Sequence, residues 1–149
     1  MSNEHETPID YFGFTMIRDE LIPDLLGTHT KDILYWAGKN MARKYPCENE
    51  GELIAFFERA NWGSLTITRQ KNDEMHFELS GSIVEERLKI KESQFSLEAG
   101  FLAEQIAMMK QYQTEAVFQK EKKNKVQFEL KSDSRDPYSL PSRKANSRV

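Results

Sequence analysis

The residues able to do chemistry are few and widely spaced in this chain. Histidine occurs at His5, His29 and His76, and cysteine only at Cys47. A zinc site needs three or four ligands converging on one point. The sequence has no HxxxH, HExxH or CxxC spacing to supply them, so no metal site is expected. Cys47 follows Pro46 at a helix entry, where a thiol pKa can be depressed. A cysteine nucleophile also needs a base held against it. Nothing near Cys47 in sequence provides one, and it reads as a small apolar residue at a loop end. Glu98 and Glu104 flank Gly100. Their separation on a helix turns them about 240° apart, so they form no acid–base pair. Glycine-rich phosphate loops and haem-attachment sequences are absent. No catalytic residue and no cofactor is expected.

Trp36 and Trp62 remain as candidates of another kind. Each stands beside a small residue, Ala37 and Gly63. An aromatic in that setting can wall a pocket that the backbone approaches closely, or it can fill core.

The elements that must position these residues are legible from periodicity. A helical pattern begins with Phe12, Met16, Ile17 and Leu21 and stops at Gly27, and Pro23 should kink or divide it. A second helix is expected with Thr30 as its cap, an apolar stripe of Ile33, Leu34, Ala37 and Met41, and Pro46 as its end. Asn49 and Glu52 form a capping-box signature for a third, from about Glu50 to Ala60. The period then changes to two. Leu65 and Ile67, then Met75, Phe77 and Leu79, alternate with polar residues around an Asn72-Asp73 turn. A short helix through Ile83, Val84, Arg87 and Leu88 follows. Ser96 should cap the longest helix, Leu97 to Tyr112. Ala116 and Phe118, then Val126, Phe128 and Leu130, make a second hairpin across a lysine-rich turn. The expected fold class is α+β, with a four-stranded antiparallel twisted sheet and helices on one face.

Small residues recur at four-residue spacing on two helices, at Gly38 and Ala42 and at Ala99, Ala103 and Ala107. They predict a close crossing of the second and longest helices.

The 149 residues suffice for one domain. Residues 1–10 read as a flexible arm, 11–130 as the domain and 131–149 as a disordered basic tail. Residues 120–149 hold 9 basic and 4 acidic side chains, against 12 and 20 in the remainder. The single cysteine forbids an intramolecular disulfide and suits a reducing compartment. No apolar run is long enough to span a bilayer and no signal peptide is visible. A cytoplasmic location is expected.

The segments DLLG (24–27), YWAGKNMARKYP (35–46), FFERANWGSL (56–65) and LEAGFLAEQI (97–106) resemble the YslB-like family of uncharacterised bacterial proteins. Through Ala37-Gly38, Trp62-Gly63 and Gly100–Ala103, that family is similar to a superfamily of ligand-binding domains in nitric-oxide signalling and Golgi transport. Its members include TRAPP-like and vinyl-reductase-like domains. The resemblance implies a TRAPP-like α+β fold in which apolar cavities and dimers recur and catalysis is not the shared property. The clustered cysteines of the vinyl-reductase-like sensors are absent here.

Together these readings point to a non-enzymatic domain that binds a small apolar ligand or a protein partner, as a homodimer. Trp36, Gly38, Trp62, Gly63, Gly100 and Phe101 are the candidate ligand-binding residues. Two other classes compete: an enzyme of unrecognised chemistry in the same cavity, and a nucleic-acid-associated adaptor using the basic C-terminal end. The lysines there carry no interleaved aromatics for base stacking, which speaks against the last.

Overall fold

A computed structural model describes residues 9–121 and 124–140. Residues 1–8 of the expected arm and residues 141–149 of the expected tail lie outside the described residues.

The chain opens with α1 (Phe12–Met16), a π-helical turn (Ile17–Leu21) and α2 (Ile22–Leu26). Pro23 sits in the first turn of α2. Its ring and missing N–H disturb the turn before it, and that turn is the widened one. A 3-10 turn (Gly27–His29) leads into α3 (Thr30–Lys44). Thr30, expected as a cap, is instead the first residue of α3, and its hydroxyl donates to the Gly27 carbonyl at 2.6 Å. The preceding 3-10 turn already carries the chain into the helix, so no extended capping residue is needed.

In α4 (Glu50–Arg59) Asn49 caps as expected, while the return bond of Glu52 goes one residue before the cap. The Asn49 side chain accepts from the Glu52 amide at 2.9 Å, and the Glu52 carboxylate reaches back to the Glu48 amide at 2.8 Å. Then come β1 (Ser64–Lys71), β2 (Glu74–Ser80), α5 (Ser82–Leu88) and α6 (Ser96–Lys110). The N-cap of α6 is Phe95, not Ser96. The last elements are β3 (Tyr112–Glu121) and β4 (Lys125–Pro137).

The sheet is antiparallel in the order β1-β2-β4-β3, so the two hairpins join through β2 and β4. Met75, Phe77 and Leu79 on β2 and Val126, Phe128 and Leu130 on β4 are buried along one face. Helix α6 lies in the middle of the fold: every residue from Glu98 to Ala107 is buried, against α3 on one side and the sheet on the other. Hydrophobic burial on two sides explains why this helix lacks a polar face.

Strand β4 runs seven residues beyond Leu130, where the tail was expected to begin. Polar sequence masked this extension, yet it is tied down. The Ser132 hydroxyl pairs with that of Thr114 at 2.8 Å, buried, and the Ser132 amide donates to the Asp73 carbonyl at 2.8 Å. The Tyr138 hydroxyl donates to Glu104 at 2.7 Å.

The N-terminal segment turns its apolar stripe outward. Phe12, Met16, Ile17, Leu21 and Leu25 are exposed, whereas Thr15, Arg18 and Asp19 are buried. The π turn adds one residue to the spacing. Phe12, Met16, Leu21 and Leu25 stand four, five and four apart, with the longer step spanning that turn, and so all keep to the outer side.

Candidate functional site

The six candidate ligand-binding residues fall in three places. Gly38 and Gly100 lie at the α3–α6 crossing. A Cβ at Gly38 would stand 2.1 Å from the Leu97 carbonyl oxygen, and one at Gly100 would stand 2.0 Å from that of Tyr35. These glycines let two backbones touch and leave no room for a ligand.

Trp62 and Phe101 come together as core. Their rings meet edge to face with centroids 5.2 Å apart, Phe56 stacks on Phe101 at 4.6 Å, and Phe57 meets Trp62 at 5.0 Å. Gly63 adopts φ +137°, and a Cβ there would press on Ser80 and Val84 at 2.9 Å. Trp36 alone is on the surface, 71% exposed. The six residues therefore do not line one cavity, because the space around Trp62 is already packed with side chains.

Trp36 does border an open groove of about 470 Å³ between α3, α6 and β3. Tyr35, Trp36 and Phe118 give it aromatic walls, and Ala99, Ala116 and Val117 add small apolar surface. Lys31, Asp32 and Ser96 provide its polar groups, with the Lys31 ammonium 5.8 Å from the Phe118 ring centroid. Tyr35 holds the groove to the edge strand. Its hydroxyl accepts from the Ala116 amide at 2.9 Å and donates to Glu115, which also receives Lys39 at 2.9 Å. Burial and the Glu115 carboxylate push the Tyr35 phenol well above its ordinary pKa, so it stays protonated. Sequence reasoning found Trp36 but missed the rest of this groove, since its residues come from three elements brought together only by folding.

A second cluster, invisible in sequence, is a buried charge network. Arg87 binds Asp19 through two nitrogens, at 2.8 and 2.9 Å, and Glu98 through a third at 3.2 Å. Arg18 reaches both Glu98 oxygens at 3.0 Å. Burial alone would raise Glu98. The positive charges of Arg18 and Arg87 outweigh it and hold this carboxyl below its usual range. A carboxylate so engaged is a poor general base. The network joins the π turn to α5 and α6, and it binds the N-terminal segment to the body.

Glu104 is separate from Glu98 and pairs with Arg43 at 2.9 Å. Cys47 is half-buried. Burial and the neighbouring Glu52 push its thiol pKa up, opposite to the shift an activated nucleophile needs.

A four-stranded antiparallel sheet joined to a buried central helix is a fold found in other solved proteins. A vinyl-4-reductase family protein from Methanocaldococcus jannaschii superposes with TM-score 0.61 at 21% identity, covering 88% of this chain and 86% of that one. An Fe(II) unliganded H-NOX protein from K. algicida gives TM-score 0.53 at 10% identity, over 86% and 76% of the two chains. The phenol-responsive sensory domain of the transcription activator PoxR, solved with phenol, gives 0.53 at 9%, over 85% and 76%. At such identities the likeness is one of fold.

Within that fold class, the chain belongs to the family described as protein of unknown function DUF2507, whose model matches residues 11–131. It is 43% identical over 139 residues to the uncharacterised protein YslB of Bacillus subtilis (strain 168), covering 92% of this chain and 94% of that one.

Proposed function

We propose that this chain is a non-enzymatic domain that binds a small, largely apolar ligand in the groove between α3, α6 and β3. The observation that carries this reading is an aromatic-walled groove with few polar groups, open to solvent beside an exposed Trp36. A sensory domain of the same fold was solved with phenol, a ligand of comparable character. The α6 carboxylates Glu98 and Glu104 are both engaged by arginines and neither lines the groove, which favours binding over catalysis. No described helix is long and apolar enough to cross a membrane, and a cytoplasmic setting is part of the proposal.

The dye ANS tests it. Saturable binding to the folded chain, lost in Trp36→Ala with the melting temperature unchanged, supports the groove. Absence of saturable binding, or binding indifferent to Trp36→Ala, removes it.

A second reading, pairing with another copy of this chain, is favoured by one observation. Phe12, Met16, Ile17, Leu21 and Leu25 form an exposed apolar helix face, held in place by the buried ion pairs behind it. Sedimentation of the parent and of Met16→Glu would show a dimer converted to monomer. A parent that sediments as a monomer ends this reading.

A further inference from the structure

On the outward face of the sheet, three side chains converge on one point. His76 and Glu74 alternate outward on β2, and Glu129 lies directly opposite His76 on β4. The His76 Nε2 is 2.7 Å from one Glu74 oxygen and 3.6 Å from a Glu129 oxygen. One ligand atom from each residue falls within 4.8 Å of the others.

The number of carboxylates is informative. A single ring nitrogen bears one proton or one lone pair, so one acceptor satisfies it. Glu74 already does so, and Glu129 is surplus for holding a proton. It is not surplus for holding a dication. One imidazole nitrogen and two carboxylate oxygens match the ligand types of zinc, with bonds of about 2.0–2.2 Å. The neighbouring outward carboxylate shows the contrast: Glu78 is taken up by Lys125 at 3.0 Å and Gln127 at 3.1 Å. Arg69 pairs with His76 across β1, and Lys131 pairs with Glu74 across β4. These cations offset the two carboxylates and set a limit on affinity.

We propose that Glu74, His76 and Glu129 form a binding site for one zinc ion, with a fourth position open to water or to a group from another molecule. No spacing motif announces it because its ligands come from two strands that are neighbours only in the folded sheet. Since β2 and β4 are the strands that join the two hairpins, a bound ion ties the hairpins together. Any ligand specific to the folded state raises stability by mass action.

Zinc chloride titrated into EDTA-treated, dialysed protein, followed by calorimetry and by thermal melting, tests the site. One equivalent should bind and raise the melting temperature, with magnesium doing neither. His76→Ala and Glu129→Gln, both at partly exposed positions, should fold normally and bind zinc at least tenfold more weakly. Cys47→Ser and His29→Ala should bind as the parent does. No saturable binding at one equivalent overturns the proposal. So does binding undiminished in folded His76→Ala, which would mark an adventitious ion only.

Discussion

Gly38 and Gly100 make one contact from its two sides. Gly38 faces the Leu97 carbonyl on α6, and Gly100 faces the Tyr35 carbonyl on α3. Each glycine removes the Cβ that would hold the other helix away.

Gly→Ala inside a helix normally stabilises by about 1 kcal/mol through propensity. At Gly38 and Gly100 the sign should reverse, because the new methyl meets a backbone oxygen that no side-chain rotation can clear. A net loss of roughly 1–3 kcal/mol is expected for either substitution. Urea denaturation of both variants measures it, and a stabilised variant would show that the helices can move apart freely.

The two tryptophans should separate cleanly on mutation. Trp62→Ala opens a cavity among Phe56, Phe57 and Phe101 and should cost about 3–5 kcal/mol. Trp36→Ala removes an exposed ring and should change stability by less than about 0.5 kcal/mol. Parallel thermal melts compare them, and equal losses would contradict the placement of Trp36.

Truncation after Lys131 should destabilise the chain. It deletes the Ser132 bonds to Thr114 and Asp73 and the Tyr138 bond to Glu104. A chain ending at Leu140 keeps all of them and serves as the reference. A drop of several degrees in Tm is expected for the shorter chain, consistent with the loss of about 1 kcal/mol or more in a domain of this size. Equal melting temperatures would mean that the β4 extension contributes nothing.

Glu98 sets an acid limit. Its folded pKa is held below the unfolded value of about 4.3, so its contribution is complete above that value and is lost as pH falls through the folded pKa. Denaturant midpoints should therefore fall on acidification below about pH 5. Glu98→Gln should show a shallower acid dependence and a lower plateau near neutrality, since it leaves Arg18 and Arg87 without their shared carboxylate. Breaking such a buried pair costs about 3–5 kcal/mol. An unchanged acid slope in that variant would assign the effect to other carboxylates.

The sequence made the strands and the α3–α6 crossing legible because each depends on local periodicity or residue size. Alternation at Met75, Phe77 and Leu79 selects the core face of β2 directly. Periodicity failed at the N-terminus for a physical reason. It reveals that Phe12, Met16 and Leu21 share a side of a helix, but not whether that side meets the core. There the opposite side is buried through Arg18 and Asp19, whose partners lie 80 and 68 residues away. The groove at Trp36 was half legible, since one wall is the edge of β3, which no local pattern assigns to α3. Ser132 and Tyr138 were missed because their contribution is hydrogen bonding, which leaves no apolar signature.

Attachment of the N-terminal segment through Arg18 and Asp19 has a calorimetric consequence. Exposing apolar surface raises heat capacity, and exposing polar surface lowers it. Tyr11 and Phe14 bring some apolar contact to this junction, but its buried groups are the polar Thr15, Arg18 and Asp19. Releasing the segment therefore carries a far smaller heat-capacity change, residue for residue, than melting the core around Trp62 and Phe101. Its attachment curve against temperature is correspondingly flat. Cooling, which weakens the aromatic core, leaves this junction nearly as firm as it was.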